Sequence, residues 1–290
     1  MLLIHGFGAS SAHWRHTLPA LAGCADVLAI DLLGFGASAK PRSRLADEAG
    51  LPGSLRYCFD LWAEQVADAA TALLRRGHQH RRLHLVGNSI GGMVALTAAR
   101  LLRDRGEPPQ QVVLLDCAQR ALDDKRLGQL PGWQRPGRPL LKALVRRRLL
   151  LAPLFRLLAR PAVIRRVLAR AYPSGAHVDD ELVELLFRPS TDAGAIESFR
   201  GFVNLFNDHL APELLTDLSG PAANGAGVVP VRLIWGGADP WEDPAEARRW
   251  AEQFACVREL VVLEGVGHCP HDEAPQLVNP VLRRWISLES

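Results

Sequence analysis

Short apolar runs alternate along the chain with longer segments whose apolar residues recur at helical spacing. The runs are rich in Val, Leu and Ile, and Gly or Asp follows most of them, which is typical of buried strands. Strands are predicted at residues 2–4, 27–30, 83–86, 112–115, 231–235 and 260–263, and helices at about 61–76, 90–103, 244–254 and 275–288. This alternation predicts a parallel sheet that helices cover on both faces.

One long region breaks the alternation. Residues 118–218 contain no convincing strand, and several prolines divide their Leu-, Arg- and Ala-rich sequence into short helices. The Gly-, Pro- and Ala-rich segment 219–230 reads as a linker that returns the chain to the sheet. The predicted organisation is an α/β core formed by residues 1–117 and 219–290, with residues 118–218 inserted as a helical cap.

Composition limits the class of protein. The chain has 290 residues, of which 48% are hydrophobic and 22% charged, proportions that exclude a disordered or fibrous chain. A net charge of +3 is too small to predict a nucleic-acid partner. Five scattered cysteines without a C-x-x-C pair argue against a disulfide framework or structural zinc and favour a reducing, cytoplasmic compartment. No apolar run is long enough to span a membrane, and the N-terminus does not resemble a signal peptide.

Charge separates along the predicted domain boundary. Residues 120–170 carry 14 Arg or Lys against 2 Asp, which leaves 20 basic and 29 acidic residues in the rest of the chain. Two interpretations remain open. The segment is either a solvated cap whose Leu side chains pack on the core, or a surface that contacts anionic lipid or a pigment-protein, or binds a long apolar substrate.

A candidate nucleophile follows the third predicted strand. Gly87-Asn88-Ser89-Ile90-Gly91 matches G-x-S-x-G between a strand and a helix. This sharp turn strains the serine backbone and exposes its Oγ, and the helix N-terminus behind it favours negative charge. A tight glycine turn with an ordinary serine is the alternative. If Ser89 is the nucleophile, the Ile90 amide is placed to donate a hydrogen bond to an oxyanion.

A second amide donor is expected in the turn after the first strand, which reads His5-Gly6-Phe7-Gly8. An H-G-x-G turn can aim a backbone N–H into the same cavity, so the Phe7 amide is the predicted partner of Ile90 in an oxyanion hole. The His5 side chain is interpreted as a structural group under the loop.

The acid and base are predicted at two later strand ends. Asp239 follows the fifth strand, and Asp116, after the fourth, is its competitor. His268 lies in a short Gly-rich loop after the sixth strand, and His271 is its rival, interpreted as a supporting residue. The order Ser89, Asp239, His268 predicts a nucleophile, an orienting acid and a general base for acyl transfer.

The chain resembles the α/β-hydrolase superfamily over nearly its whole length. The resemblance rests on HGFG (5–8), DLLGFGAS (31–38), GNSIGG (87–92), GGADPW (236–241) and GVGH (265–268). It implies a mostly parallel, eight-stranded sheet with a helical cap over the active site. Two antiparallel strands usually precede the H-G-x-G strand in that superfamily. Since this chain begins at that strand, its first edge strands are expected to be missing.

A narrower resemblance is to the pheophytinase and chlorophyll dephytylase branch of cyanobacteria and plastids. It rests on DLLGFGASAKP (31–41), YCFDLWAEQV (57–66), GNSIGGMVAL (87–96) and DPWE (239–242). It implies cleavage of the phytyl ester of a chlorophyll-type pigment, no cofactor, no metal, and contact with a thylakoid-type membrane. A carbon–carbon bond hydrolase, a cofactor-free peroxidase and a non-catalytic ligand-binding protein are the alternatives.

Overall fold

Six parallel strands form one sheet in the computed structural model, which describes residues 1–75, 82–129, 136–222 and 225–288. The strands are β1 (Leu2–Ile4), β2 (Leu28–Ile30), β3 (His84–Asn88), β4 (Gln111–Leu115), β5 (Val231–Gly236) and β6 (Val257–Leu263). They lie in the order β2-β1-β3-β4-β5-β6, and each neighbouring pair is parallel. The predicted parallel sheet is therefore present.

The number of strands differs from the eight that the resemblance implies. The described residues form six strands instead of eight, and none is antiparallel. As the sequence predicts, the described residues lack the two antiparallel edge strands of the superfamily, and β2 and β6 form the edges of the sheet.

Helices cover both faces of this sheet. Those of the core are α1 (Thr17–Leu21), α2 (Phe59–Arg75), α3 (Ile90–Asp104), α10 (Pro244–Gln253), α11 (Pro270–Glu273) and α12 (Pro275–Leu288). The four predicted helices are confirmed with shifts of one or two residues, except that residue 76 lies outside the described residues. The sequence did not predict α1 and α11, which have only five and four residues.

Two apolar clusters hold the layers together, one on each face of the sheet. Strand side chains alternate between faces, so Leu2 and Ile4 join one cluster and Leu3 the other. The first cluster contains Trp62 of α2, and the second contains Trp285 of α12; both indoles are buried. The buried sheet provides a rigid support for the loops at its carboxyl edge.

The region between β4 and β5 is helical where it is described. It contains α4 (Arg138–Arg146), α5 (Arg148–Leu158), α6 (Pro161–Ala171), α7 (Asp180–Phe187), α8 (Ala195–Val203) and α9 (Ala211–Ser219). The described part of this region also contains two 3-10 helices, Asp124–Gln129 and Arg188–Thr191. Within the described ranges, no helix has the length and apolar character needed to cross a bilayer.

Substituting Gly91 tests how closely β1 and α3 approach. A β-carbon on Gly91 would overlap the carbonyl oxygens of Ile4 and His5, which are backbone atoms at the centre of the sheet. We expect Gly91→Ala to lower the free energy of unfolding by roughly 3 kcal/mol, as overpacking does when neighbours cannot yield. Gly23→Ala is the matched control, because nothing lies within 4 Å of its β-carbon position. Equal urea midpoints for the two variants would contradict this prediction.

Candidate active site

Ser89 occupies a strained turn between β3 and α3. Its φ is +54° and its ψ is −121°, a conformation that a residue with a side chain rarely adopts. The Ser89 amide donates to the Leu115 carbonyl of β4 at 2.9 Å, and its carbonyl accepts from Gly92 and Ala118. These contacts fix the turn at the carboxyl edge of the sheet, where the sequence predicts the nucleophile.

The HGFG loop lies directly against Ser89. A β-carbon on Gly6 would lie 3.3 Å from the Ser89 β-carbon, so only glycine leaves ordinary spacing there. The buried His5 ring accepts from the Leu32 amide at Nε2 and donates from Nδ1 to the Gly6 carbonyl at 2.7 Å. The His5 side chain therefore supports the loop, in line with its interpretation from sequence.

Two backbone amides point to oxyanion binding. The amides of Phe7 and Ile90 make no hydrogen bond to any other described residue. Phe7 directly follows the glycine packed on Ser89, and Ile90 is the first residue of α3. Free N–H groups beside a serine at a helix N-terminus are suited to stabilise negative charge that develops on a substrate oxygen.

Asp239 and His268 form a hydrogen-bonded pair. His268 Nδ1 lies 2.8 Å from Asp239 Oδ2, and the Asp239 side chain is fully buried. The other carboxylate oxygen accepts from the amides of Trp241 and Glu242 at 2.8 and 3.2 Å. Burial opposes ionisation of Asp239, but the hydrogen bond and charge of His268 outweigh it and lower the pKa of the carboxyl. An ionised Asp239 can orient the imidazole with Nε2 free.

The loop that carries His268 is tied to the nucleophile turn. Asn88, adjacent to Ser89, donates from Nδ2 to the carbonyls of His268 and Leu115 at 3.0 and 3.1 Å. Among the described residues, no direct hydrogen bond joins Ser89 Oγ to the imidazole. Such contacts are often long without substrate and shorten when the substrate binds.

His271, the rival base, lies apart from Asp239. It is buried against Trp14 and His13, with ring centroids 4.2 and 4.7 Å away, and neither ring nitrogen has a hydrogen-bond partner among the described residues. Burial lowers the pKa of His271 well below its ordinary value, so the ring is neutral. The structure pairs the acid with His268 instead.

Asp116, the rival acid, lies in the same cluster. It is fully buried with a φ of +45°, and its Oδ1 accepts from the Gly236 amide at 2.8 Å. Burial and the neighbouring Asp239 charge raise the pKa of Asp116 well above its ordinary value. Asp116 Oδ2 has no partner among the described residues, so a protonated Asp116 is suited to support the negative charge of Asp239. The sequence predicted Asp116 as a competitor but not as a partner.

The same cluster has the donor atoms of a metal site. Asp116, Asp239 and His268 bring one oxygen or nitrogen each to within 4.8 Å of one another. However, His268 Nδ1 is already bonded to Asp239, and the raised pKa of Asp116 makes it a poor ligand. The donor set therefore suits a proton-transfer pair better than a cation.

Two residues of the DPWE sequence make contacts near the site that the sequence did not predict. The Trp241 ring meets the His268 imidazole edge-on at 4.9 Å, and Trp241 is exposed. Glu242 accepts from the Gln119 amide at 2.8 Å, and burial raises its pKa to about 8. Their position directly after Asp239 was the available signal.

The raised pKa of Glu242 predicts a pH-dependent stability. The folded protein holds Glu242 as the neutral acid. The contribution of Glu242 to the free energy of unfolding is therefore complete below the ordinary pKa of 4.5 and is lost as pH rises through about 8. Glu242→Gln should flatten the fall in stability between these values by on the order of 2 kcal/mol. Urea midpoints measured across the range test this, with exposed Glu252→Gln as the control. Parallel curves for wild type and Glu242→Gln would refute it.

An aromatic cleft opens beside the HGFG loop. Its volume is about 50 Å³, and its lining includes Phe7, Phe35, Phe155 and Phe199. The Phe7 ring stacks on Phe202 at 3.9 Å, which joins the loop to cap helix α8. The cleft therefore offers an apolar site next to the free amide of Phe7.

The cap is anchored to the loop that carries His268. The His268 amide donates to the carbonyl of Ala171, the last residue of α6, at 2.9 Å. Glu273 accepts from the amides of Ser174 and Gly267 at 2.9 and 2.6 Å. The end of α6 and this loop therefore form one hydrogen-bonded unit.

The carboxyl edge of this parallel sheet carries a serine on a strained turn, an Asp–His pair and two free amides. This combination defines the hydrolase class of α/β proteins. The chain belongs to the alpha/beta hydrolase family, whose model matches residues 1–281.

Relatives in this family differ in their reactions. One relative is a dihydrolipoyllysine-residue acetyltransferase component of the acetoin cleaving system from Pseudomonas putida. It is 28% identical over 96% of this chain and 61% of its own length. The chloroplastic pheophytinase of Arabidopsis thaliana is 25% identical over 100% of this chain and 62% of its own. A 2-hydroxymuconate semialdehyde hydrolase from a Pseudomonas species is 33% identical, over only 34% of this chain and 30% of its own. The chain thus spans less than two thirds of each.

Solved structures support the same fold. A serine hydrolase of carbazole degradation matches with a TM-score of 0.70 and 19% identity over 99% of this chain and 90% of its own. A thermophilic esterase from Thermogutta terrifontis matches with a TM-score of 0.66 and 22% identity over 99% and 89%. At these identities the likeness establishes the fold alone.

Proposed function

We propose that the protein is a serine hydrolase that cleaves a carboxylic ester through an acyl-enzyme. Ser89 Oγ attacks the ester carbonyl while His268 Nε2 accepts its proton, and the amides of Phe7 and Ile90 stabilise the oxyanion. His268 then protonates the leaving alcohol. Water, activated by the same imidazole, attacks the acyl-enzyme and releases the acid and free Ser89. Asp239 keeps Nδ1 of His268 protonated and stabilises the imidazolium.

One observation carries this proposal. The Asp239–His268 hydrogen bond lies beside the turn of Ser89, and two unbonded amides flank that serine. The side chains of Ser89 and Asp239 and the ring of His268 come from loops after β3, β5 and β6, so this convergence depends on the fold and not on a local motif. It supports covalent catalysis more directly than ligand binding alone.

The lining of the cleft favours an ester with an apolar acyl or alcohol group. Four phenylalanine rings line it beside the Phe7 amide, and burial of such surface stabilises binding by about 25 cal/mol per Å². A phytyl ester of a chlorophyll-type pigment has such a group, and the pheophytinase of Arabidopsis thaliana is a relative along the whole chain. We include it as one specific substrate to test. Association with a thylakoid-type membrane in particular depends on the same resemblance.

Carbon–carbon bond hydrolysis is the second candidate. The relative named 2-hydroxymuconate semialdehyde hydrolase is 33% identical over about a third of the chain, a higher identity than that of the pheophytinase. The same three side chains suit that reaction, in which the dienol hydroxyl loses a proton and a dienol carbon gains one before the carbon–carbon bond breaks. The geometry of the site does not separate these two reactions, so a substrate panel must do so.

The test combines a serine probe with a substrate panel. We expect a fluorophosphonate to label wild type and the Ser190→Ala variant, whose altered serine lines the cleft, but not Ser89→Ala. Short and long p-nitrophenyl esters, pheophytin and a vinylogous diketone are then compared by product mass spectrometry. Faster turnover of long esters supports the proposal, and turnover of the diketone alone moves the assignment to carbon–carbon cleavage. Folded protein that neither binds the probe nor turns over any substrate would favour a ligand-binding protein and overturn the proposal.

A further inference from the structure

Exposed aliphatic side chains concentrate on three consecutive cap helices. Of the 17 large hydrophobic residues that are exposed in the described chain, eight belong to α4, α5 and α6. They are Leu140, Leu141, Leu144, Leu149, Leu150, Leu157, Leu158 and Val167. Leu149 is 90% exposed and Leu140 is 76% exposed, which exceeds what scattered surface leucines require. We call the exposed side of these three helices, residues 136–171, the cap surface.

Each helix of the cap surface has an inner and an outer side. In α5, Leu151 is buried and Phe155 lines the aromatic cleft, whereas Leu149, Arg156 and Leu157 are exposed. Leu151 and Phe155 are four residues apart, and Leu149 and Arg156 are seven apart, so each pair shares one face of the helix. The inner residues pack against the rest of the protein, whereas the outer leucines do not take part in this packing.

Charge on the cap surface has one sign. Residues 136–171 include ten Arg or Lys and no Asp or Glu. Five of the arginines are exposed and make no ion pair or side-chain hydrogen bond with any described residue. They are Arg147, Arg156, Arg160, Arg166 and Arg170. Others, such as Arg146 and Arg165, pair with acids outside the segment.

We propose that the cap surface binds the face of an anionic lipid bilayer. Leucines placed among unpaired arginines match the composition of helices that lie in the membrane interface, with aliphatic groups below the headgroups and guanidinium groups at the phosphates. Each basic residue near such a surface contributes about 1 kcal/mol. A second copy of the chain docked by the same surface would place unpaired arginines of both copies against each other, which electrostatic repulsion disfavours.

The position of this surface suits a lipid-soluble substrate. Phe155 lines the aromatic cleft from the inner side of α5, while the outer side of the same helix would rest on the bilayer. An ester dissolved in the membrane would then need to pass only the width of the cap to reach the cleft. This route for the substrate rests on the proposed function, whereas bilayer binding itself does not.

Vesicle flotation of the full chain tests the proposal. Vesicles of phosphatidylcholine are compared with vesicles in which about one third is phosphatidylglycerol, at low and high salt, because electrostatic attraction is screened by ions. We expect binding to the anionic vesicles only, and a weaker partition at high salt. Replacing Arg156, Arg160 and Arg166 with serine should weaken it about fivefold for each residue. Leu149→Ser with Leu157→Ser should weaken it without changing its salt dependence.

Matched controls keep the result interpretable. Arg248→Ser and Leu277→Ser remove an exposed arginine and an exposed leucine from α10 and α12, and should bind like wild type. Ser89→Ala should also bind like wild type, which separates this proposal from the proposed function. Equal binding to both vesicle types, no binding to either, or equal losses in control and cap variants would overturn it. Circular dichroism of each variant verifies its fold.

Discussion

Replacing Ser89 with alanine should lower kcat/KM for the best ester by at least about 10³-fold, the loss expected when a covalent nucleophile is removed. The alanine has no Oγ to attack the carbonyl, whereas the Phe7 and Ile90 amides and the aromatic cleft remain. Residual turnover should therefore come from oxyanion stabilisation and binding alone. Steady-state kinetics with a chromogenic ester measure the effect.

The same variant also has a structural consequence. Ser89 has a φ of +54°, which alanine tolerates no better than serine, so the variant should keep the strained turn and near-wild-type stability. Ser190→Ala, in the wall of the cleft, is the control and should retain most activity. An active Ser89→Ala protein, with contamination excluded by mass spectrometry, would end the nucleophile assignment.

Asp239→Asn should reduce kcat by on the order of 10³-fold, while Asp116→Asn should reduce it by less than about tenfold. Asparagine at 239 cannot stabilise the imidazolium, and its amide favours the wrong tautomer of His268. Asparagine at 116 can still accept from the Gly236 amide and support the negative charge of Asp239, as the protonated acid does. Kinetics of the two isosteric variants under identical conditions therefore decide which carboxyl is the acid.

The pH profile provides a second readout for this pair. If Asp239 is the ionised acid, the Asp116→Asn variant should keep the shape of the wild-type kcat profile, because it leaves the charge next to His268 unchanged. Comparable losses in both variants would mean that the two carboxyls act as one unit. A large loss in Asp116→Asn alone would assign the acid to Asp116 and contradict our prediction.

The sheet could be predicted from sequence because its strands are buried on both faces. All residues of β3 and β4 are buried, and the apolar residues Leu85, Val86 and Val112–Leu115 at their centres predict them from hydrophobicity. β6 begins at Val257, three residues before its predicted start. The prediction was late because Arg258 and Glu259 lie on a partly exposed edge strand and interrupt the apolar run. The short α1 has no side-chain cap and too few residues for a periodic signal.

The candidate site was predictable to the extent that strand ends identify it. Ser89, Asp239 and His268 each follow a strand, and parallel strands bring their carboxyl ends to one edge. The sequence favours Asp239 as the acid but leaves Asp116 as a competitor, since both follow strands at that edge. The decision requires the distance from each carboxylate to the imidazole. The pKa of Glu242 likewise depends on burial by neighbours distant in sequence, among them Gln119.

The hydrogen bond between the Ala171 carbonyl and the His268 amide limits how the cap can open. A rigid swing of the whole cap would break this bond and pull the imidazole away from Ser89. Opening is therefore compatible with catalysis only if the hinge lies upstream, among α4 and α5, while residues 171–174 stay fixed. Grafting a foreign cap onto this enzyme would accordingly require that these four residues remain native at the junction.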